Sequence, residues 1–193
     1  MEPIFVTPDG DHGDRIIDAA VNVGARNLLV VSRGVDDQRF IERFAELCDV
    51  AAPHGIGCSL EFMAFMSIRD LPQAVGVLDA VDRPNAAVLV DNLHLARTGG
   101  TPDDVATLDP ARLPYVQLCD APGASPDDLV TEALDERLTL GDGKLPIGDL
   151  VAALPDHTAL SMEIRSACLR STFPDPTDRA RHVLSTTVAH LDR

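Results

Sequence analysis

Positive charge is scarce in this chain: 16 Lys and Arg stand against 31 Asp and Glu, for a net charge of -15. Nucleic-acid binding draws on a basic stripe that neutralises phosphates, and the few cations here are scattered, which excludes DNA or RNA as an expected partner. Cysteines are also few. Cys48, Cys58, Cys119 and Cys168 lie far apart, with no Cys-x-x-Cys pair and no His at zinc-finger spacing, so structural zinc and a disulfide framework are both excluded. Cys58 and Cys119 fall inside apolar runs and are expected to be small buried hydrophobes. No apolar stretch approaches the roughly 20 residues of a membrane span, and neither end offers a charged-then-apolar leader. A cytoplasmic location without membrane contact is the expectation.

The 193 residues, 45% hydrophobic and 24% charged, suit one globular domain with its own core. Helical and strand patterns alternate along the chain. Residues 11–23 have helical spacing and end at Gly24, and NLLVV at 27–31 reads as a strand. Helical segments follow at 35–52, 68–82, 147–154 and 175–191, with strands at 56–60, 86–90, 114–118 and 158–164. Thr101-Pro102-Asp103-Asp104 has the order of a helix start: a hydroxyl cap, Pro at the first position, acids in the first turn. Continuous rather than alternating apolar strands predict a parallel sheet covered on both faces, hence an α/β class.

A polar residue closes each of four strand-length runs. Glu61 follows Ile56–Leu60, Asp91 follows Ala86–Val90, Gln117 follows Leu113–Val116 and Glu163 follows Ala159–Met162. The C-terminal ends of parallel strands are where α/β enzymes place their chemistry, and a closed ring lets neighbouring strands aim at one point. No Gly-rich phosphate loop follows the first strand, which argues for a barrel over a nucleotide-binding open sheet. Three carboxylates and an amide would make an oxygen-rich site for a divalent cation. Taken singly, each has a plainer role. Glu61 suits a solvated loop acid, Asp91 a helix cap, His94 a bonded core residue, and Arg137 a surface partner for Asp135 and Glu136. Gln117 is the harder one to dismiss, because an amide inside a buried strand must find partners.

Leu60-Glu61-Phe62, Asp91-Asn92-Leu93-His94, Val116-Gln117-Leu118-Cys119-Asp120, Arg137-Leu138-Thr139-Leu140-Gly141-Asp142-Gly143 and Ser161-Met162-Glu163 resemble, in order and spacing, the motifs of the xylose isomerase-like TIM barrels. That superfamily holds sugar and sugar-phosphate isomerases and epimerases, inosose and 3-dehydroshikimate dehydratases, and endonuclease IV. The resemblance implies a (β/α)8 barrel with a divalent ion held by Glu61, Asp91, Gln117 and Glu163. It further implies proton transfer by Glu61, Glu163 and His94, and substrate contact by His94 and Arg137. A neutral amide where many family isomerases carry His looks more like the dehydratase branch, and the three negative charges suit Mg, Mn or Co better than Zn.

Such a site removes the proton next to a carbonyl, giving an enediolate whose charge a cation offsets. Return of the proton to the other carbon isomerises, return to the other face epimerises, and loss of a β-hydroxyl dehydrates. The expected activity is isomerisation or epimerisation of a sugar or sugar phosphate. Dehydration of a cyclic polyol ketone and a non-catalytic binding fragment are the alternatives, and DNA repair is disfavoured by the acidity. A complete barrel takes about 250 residues, and residues 1–8 look like the tail of a second strand, so the expectation is a single domain shortened at its N-terminus. The exposed edges that follow would favour a homodimer.

Overall fold

Apolar runs of strand length become parallel strands, and each connection between them carries a helix, as chain reversal between parallel neighbours requires. The computed structural model describes residues 2–192; Met1, the first residue of the expected opening strand segment, lies outside them. The chain divides into two units, Met1–Val90 with Leu108–Pro114, and Asp91–Thr107 with Tyr115–Arg193.

In the first unit, β1 (Ile4–Val6), β2 (Asn27–Ser32), β3 (Gly57–Glu61) and β4 (Ala86–Asp91, its last residue counted in the second unit) pair in chain order and in parallel. Helices α1 (Gly13–Val23), α2 (Asp37–Ala51) and α3 (Leu71–Val81) form the connections. Each boundary has a local cause. Gly24 closes α1 in the left-handed conformation, φ 66°, where a side chain would be strained. Asp36 and Asp70 cap α2 and α3 by accepting the Arg39 and Gln73 amides, so part of the acidic surplus is spent on orphan helix donors rather than on a ligand-binding face. The apolar face of α2 buries Phe40 and Phe44, stacked with ring centroids 5.7 Å apart, together with Leu47 and Cys48. The Cys58 thiol hydrogen-bonds Cys48, and with burial this pushes the Cys48 thiol up, which makes Cys48 a poor nucleophile.

Asp11, just ahead of α1, accepts Arg43 Nε at 2.8 Å and the Gly13 amide at 2.7 Å. The Arg43 hydrogen bond holds the Asp11 carboxyl below its ordinary value against the opposing effect of burial. A depressed carboxylate adds stability that is complete above the unfolded value of about 3.9 and is lost as pH falls through the lower folded value. In urea titrations the stability gap between wild type and Asp11→Asn is therefore expected to narrow as pH drops below about 4; a gap as wide at pH 3 as at pH 7 would contradict this.

The second unit holds β5 (Tyr115–Leu118) paired in parallel with β6 (Ala159–Met162), and helices α4 (Asn92–Arg97), α5 (Pro102–Ala106), α6 (Leu129–Asp135), α7 (Ile147–Ala153), α8 (Ala167–Thr172) and α9 (Pro176–Leu191). The helix start at Thr101 forms as its sequence predicts, with Thr101 and Asp104 capping each other reciprocally. Three short helices have no counterpart in the sequence-based expectation: α4, α6 and α8. Each begins at a side-chain cap, from Asp91, Asp128 and Ser166 respectively.

Candidate metal centre

Asp91 is the last residue of β4 and is fully buried. Its Oδ1 accepts the Leu93 amide at 2.8 Å and the His94 amide at 3.4 Å, so it caps α4 as the plainer sequence alternative has it. Its Oδ2 accepts Arg137 Nη1 at 2.6 Å. Burial is the largest influence and would raise this carboxyl, but the Arg137 and His94 charges and the hydrogen bonds together hold it below the ordinary aspartate value.

Arg137 is not the surface partner of Asp135 and Glu136 that its position invites. It is 2% exposed, and each of its three guanidinium nitrogens has a contact. Nε donates to Ala133 O at 2.9 Å, and Nη1 also reaches Glu163 O at 3.3 Å and Cys119 Sγ at 3.5 Å. Nη2 lies 3.4 Å from His94 Nε2. A guanidinium can only donate, so that contact needs a lone pair on Nε2 and places the imidazole proton on Nδ1. Burial, the leading cause, keeps His94 below the ordinary histidine value, Asp91 opposes it, and Arg137 adds to it. His94 and Asp91 present possible ligand atoms within 4.8 Å of each other.

Glu163 follows β6 directly, and its amide continues the ladder by donating to Leu118 O at 3.0 Å. Burial raises its carboxyl above the ordinary glutamate value; Arg137 opposes that and Asp91 reinforces it. Gln117 lies in β5 opposite Ser161. Its Oε1 is buried with no hydrogen-bond partner, one of three such side-chain oxygens among the described residues, with Ser59 Oγ and Thr187 Oγ1. Glu61, in the first unit, is the buried last residue of β3; it lies in register with Leu89, two residues before Asp91 ends β4. Asp91, His94, Arg137 and Glu163 are thus brought into one electrostatic cluster.

Sequence reasoning gave no role to the residues that hold this cluster in place. Asn92 Nδ2 donates to Cys119 O at 2.7 Å while its Oδ1 accepts the Cys119 amide at 2.9 Å. Asp120 gathers four backbone amides, Ala121 and Leu145 on Oδ1, Gly141 and Gly143 on Oδ2, all within 3.0 Å. Gly143 has no substitute there, since a Cβ would lie 2.3 Å from both Ala121 O and Asp120 Oδ1. Arg97 and Glu132 form a buried pair, Nη2 to Oε1 2.7 Å, backed by Nε to Oε2 at 2.8 Å. An acid two residues past the end of β5, with a Gly141-x-Gly143 turn later in the chain whose amides need acceptors, is the one signal that could have pointed to the Asp120 arrangement.

A family model described as a xylose isomerase-like TIM barrel matches residues 11–187, and the chain belongs to that family. An inosose isomerase of Bacillus velezensis (strain DSM 23117 / BGSC 10A6 / LMG 26770 / FZB42) is 24% identical over 117 residues, 60% of this chain and 41% of the relative. The corresponding inosose isomerase of Bacillus subtilis (strain 168) is 22% identical over 118 residues. The chain spans about two-fifths of the length of these curated relatives. Among solved structures, an IOLI protein with a binding zinc atom superposes with a TM-score of 0.78 at 17% identity, over 93% of this chain and 67% of that one. A D-allulose 3-epimerase from Methylomonas sp. in complex with D-allulose gives 0.68 at 20% identity, over 92% and 68%. At these identities the structures establish the fold.

Proposed function

We propose that this protein is a divalent-cation-dependent enzyme that isomerises or epimerises a small polyhydroxylated carbonyl compound, with Glu61, Asp91, Gln117 and Glu163 as the ligand set. The observation that carries this is Gln117 Oε1, a buried amide oxygen without a hydrogen-bond partner. Such an atom costs stability unless something satisfies it, and a hard cation is the partner an oxygen-rich donor set selects. Bound there, Mg, Mn or Co would lower the cost of negative charge developing on the substrate carbonyl oxygen.

The chain's own residues do the rest. Glu163, its carboxyl raised by burial, lies nearer the range in which a general base works at neutral pH, and Glu61 is the second carboxylate for the return of the proton. His94, kept below the ordinary histidine value by burial, can accept or relay that proton and, with Arg137, contact substrate hydroxyls. The names of the relatives, inosose isomerase and D-allulose 3-epimerase, support a cyclic or open polyol ketone as substrate. Gln117, where the resemblance has many isomerases carrying His, favours one second reading, loss of a β-hydroxyl from the same enediolate. No helix among the described residues is long and apolar enough to cross a membrane. The exposed strand β6 supports a homodimer.

Metal analysis of the purified protein with Glu61→Ala and Glu163→Ala as controls tests the site. Wild type is expected to hold a divalent ion, and each variant to lose at least about a hundredfold in affinity, since even the partners that merely orient metal ligands cost 10–100-fold. Incubation in deuterium oxide with keto-sugars, inososes or 3-dehydroshikimate should wash out the proton next to the carbonyl. A wild-type protein that binds no ion and exchanges no proton would leave the non-catalytic alternative standing.

A further inference from the structure

We propose that Arg137 is a resident counter-ion that occupies Asp91 and weakens cation binding at the strand-end acids, so that loading an ion requires the guanidinium to leave that carboxylate. The inference rests on the metal-dependent reading above and adds to it a residue that sets the affinity.

Both Asp91 oxygens are committed. Oδ1 holds the first turn of α4 through Leu93 and His94, and Oδ2 holds Arg137 Nη1 at 2.6 Å. The same guanidinium lies against His94 Nε2 and against the backbone oxygen of Glu163. One positive charge therefore touches three residues assigned to ion and proton chemistry. Neither Asp91 nor Arg137 is open to water, at 0% and 2% side-chain exposure, so their charges are poorly screened and a second cation beside the same carboxylate is strongly repelled. Arginine cannot shed its proton to relieve this. Relief comes by displacement, and the guanidinium released from Asp91 is then free to meet an oxygen of the substrate. Arg137 is a positioning residue in this scheme until the ion arrives.

The opposite role is a clear rival: a cation that orients a ligand from behind strengthens metal binding. Calorimetric titration of metal-free protein with MnCl2 separates the two. Arg137→Met and Arg137→Gln are each expected to bind Mn at least about tenfold more tightly than wild type, the sign that removal of a competing charge dictates. Unchanged or weaker binding overturns the proposal. If wild type binds Mn, loses it in Glu61→Ala, and the Arg137 variants are no tighter, the counter-ion role falls while the metal site stands. If no protein binds Mn, both fall. Should the variants fail to fold, nitrogen-15 spectra of wild type decide the matter. On adding MgCl2 the Arg137 side-chain resonance, assigned with Arg137→Lys, should shift and its N–H exchange should quicken. A resonance that stays in place as Mg binds would overturn the displacement.

Discussion

Asp91→Ala should unfold with a loss of about 3–5 kcal/mol, because truncating one member of a buried ion pair leaves the other charged, desolvated and unpaired. Arg137 cannot neutralise itself, and its remaining hydrogen-bond contacts are carbonyls, a thiol and an imidazole, which leaves the Glu163 carboxyl, itself raised by burial, to offset its charge only in part. About 1 kcal/mol more is expected from the lost cap on α4. Urea or thermal unfolding measures the total, and a double-mutant cycle isolates its cause. Asp91→Ala with Arg137→Met should recover most of the loss, since an apolar replacement of the whole pair is often neutral or better. A double variant as unstable as Asp91→Ala would place the damage in the cap rather than in the orphaned guanidinium.

Asp120 carries the second large effect. Four backbone amides converge on its two oxygens, and hydrogen bonds to a charged acceptor are individually stronger than neutral ones. Asp120→Ala is expected to cost about 3–4 kcal/mol and to release the 141–145 turn, with solvent reaching some of the freed donors and moderating the loss. Asp120→Asn should recover little, because the amide turns a donor toward donors. Hydrogen exchange reads this locally: the amides of Gly141, Gly143 and Leu145 should lose protection while those of β2 and β3 keep theirs. Uniform loss across the molecule, or none, would contradict the anchoring role.

Alternation of strands and helices was readable in the chain because its causes are local. Gly24, Thr101-Pro102 and the run Asn27–Ser32 act within a few residues of themselves, and their elements form as expected. The short helix α4 was invisible because six residues supply too little periodicity; its start depends on a carboxylate otherwise marked as a metal ligand. Arg137 shows the same limit more sharply. Flanked by Asp135 and Glu136 it reads as a surface residue, yet its partner is Asp91, 46 positions earlier, and only the folded chain brings the two together. The strand-end positions of Glu61, Asp91 and Glu163 were legible from the apolar runs that precede them, whereas Gln117, expected to close its run, lies one residue inside β5 because Leu118 still pairs with Met162. The guanidinium lodged against Asp91 was not, since no pattern in a sequence records which charge a buried carboxylate has already taken.

The reciprocal bonds between Asn92 and the Cys119 peptide carry a consequence of their own. Cys119 is buried just past the end of β5, where its main-chain dipoles would otherwise face a dry interior with nothing to answer them. A carboxamide has the donor and acceptor of a peptide link, so one side chain stands in for the missing rung. The backbone at Cys119, just past the end of β5, can then run through the interior without leaving its N–H and C=O stranded.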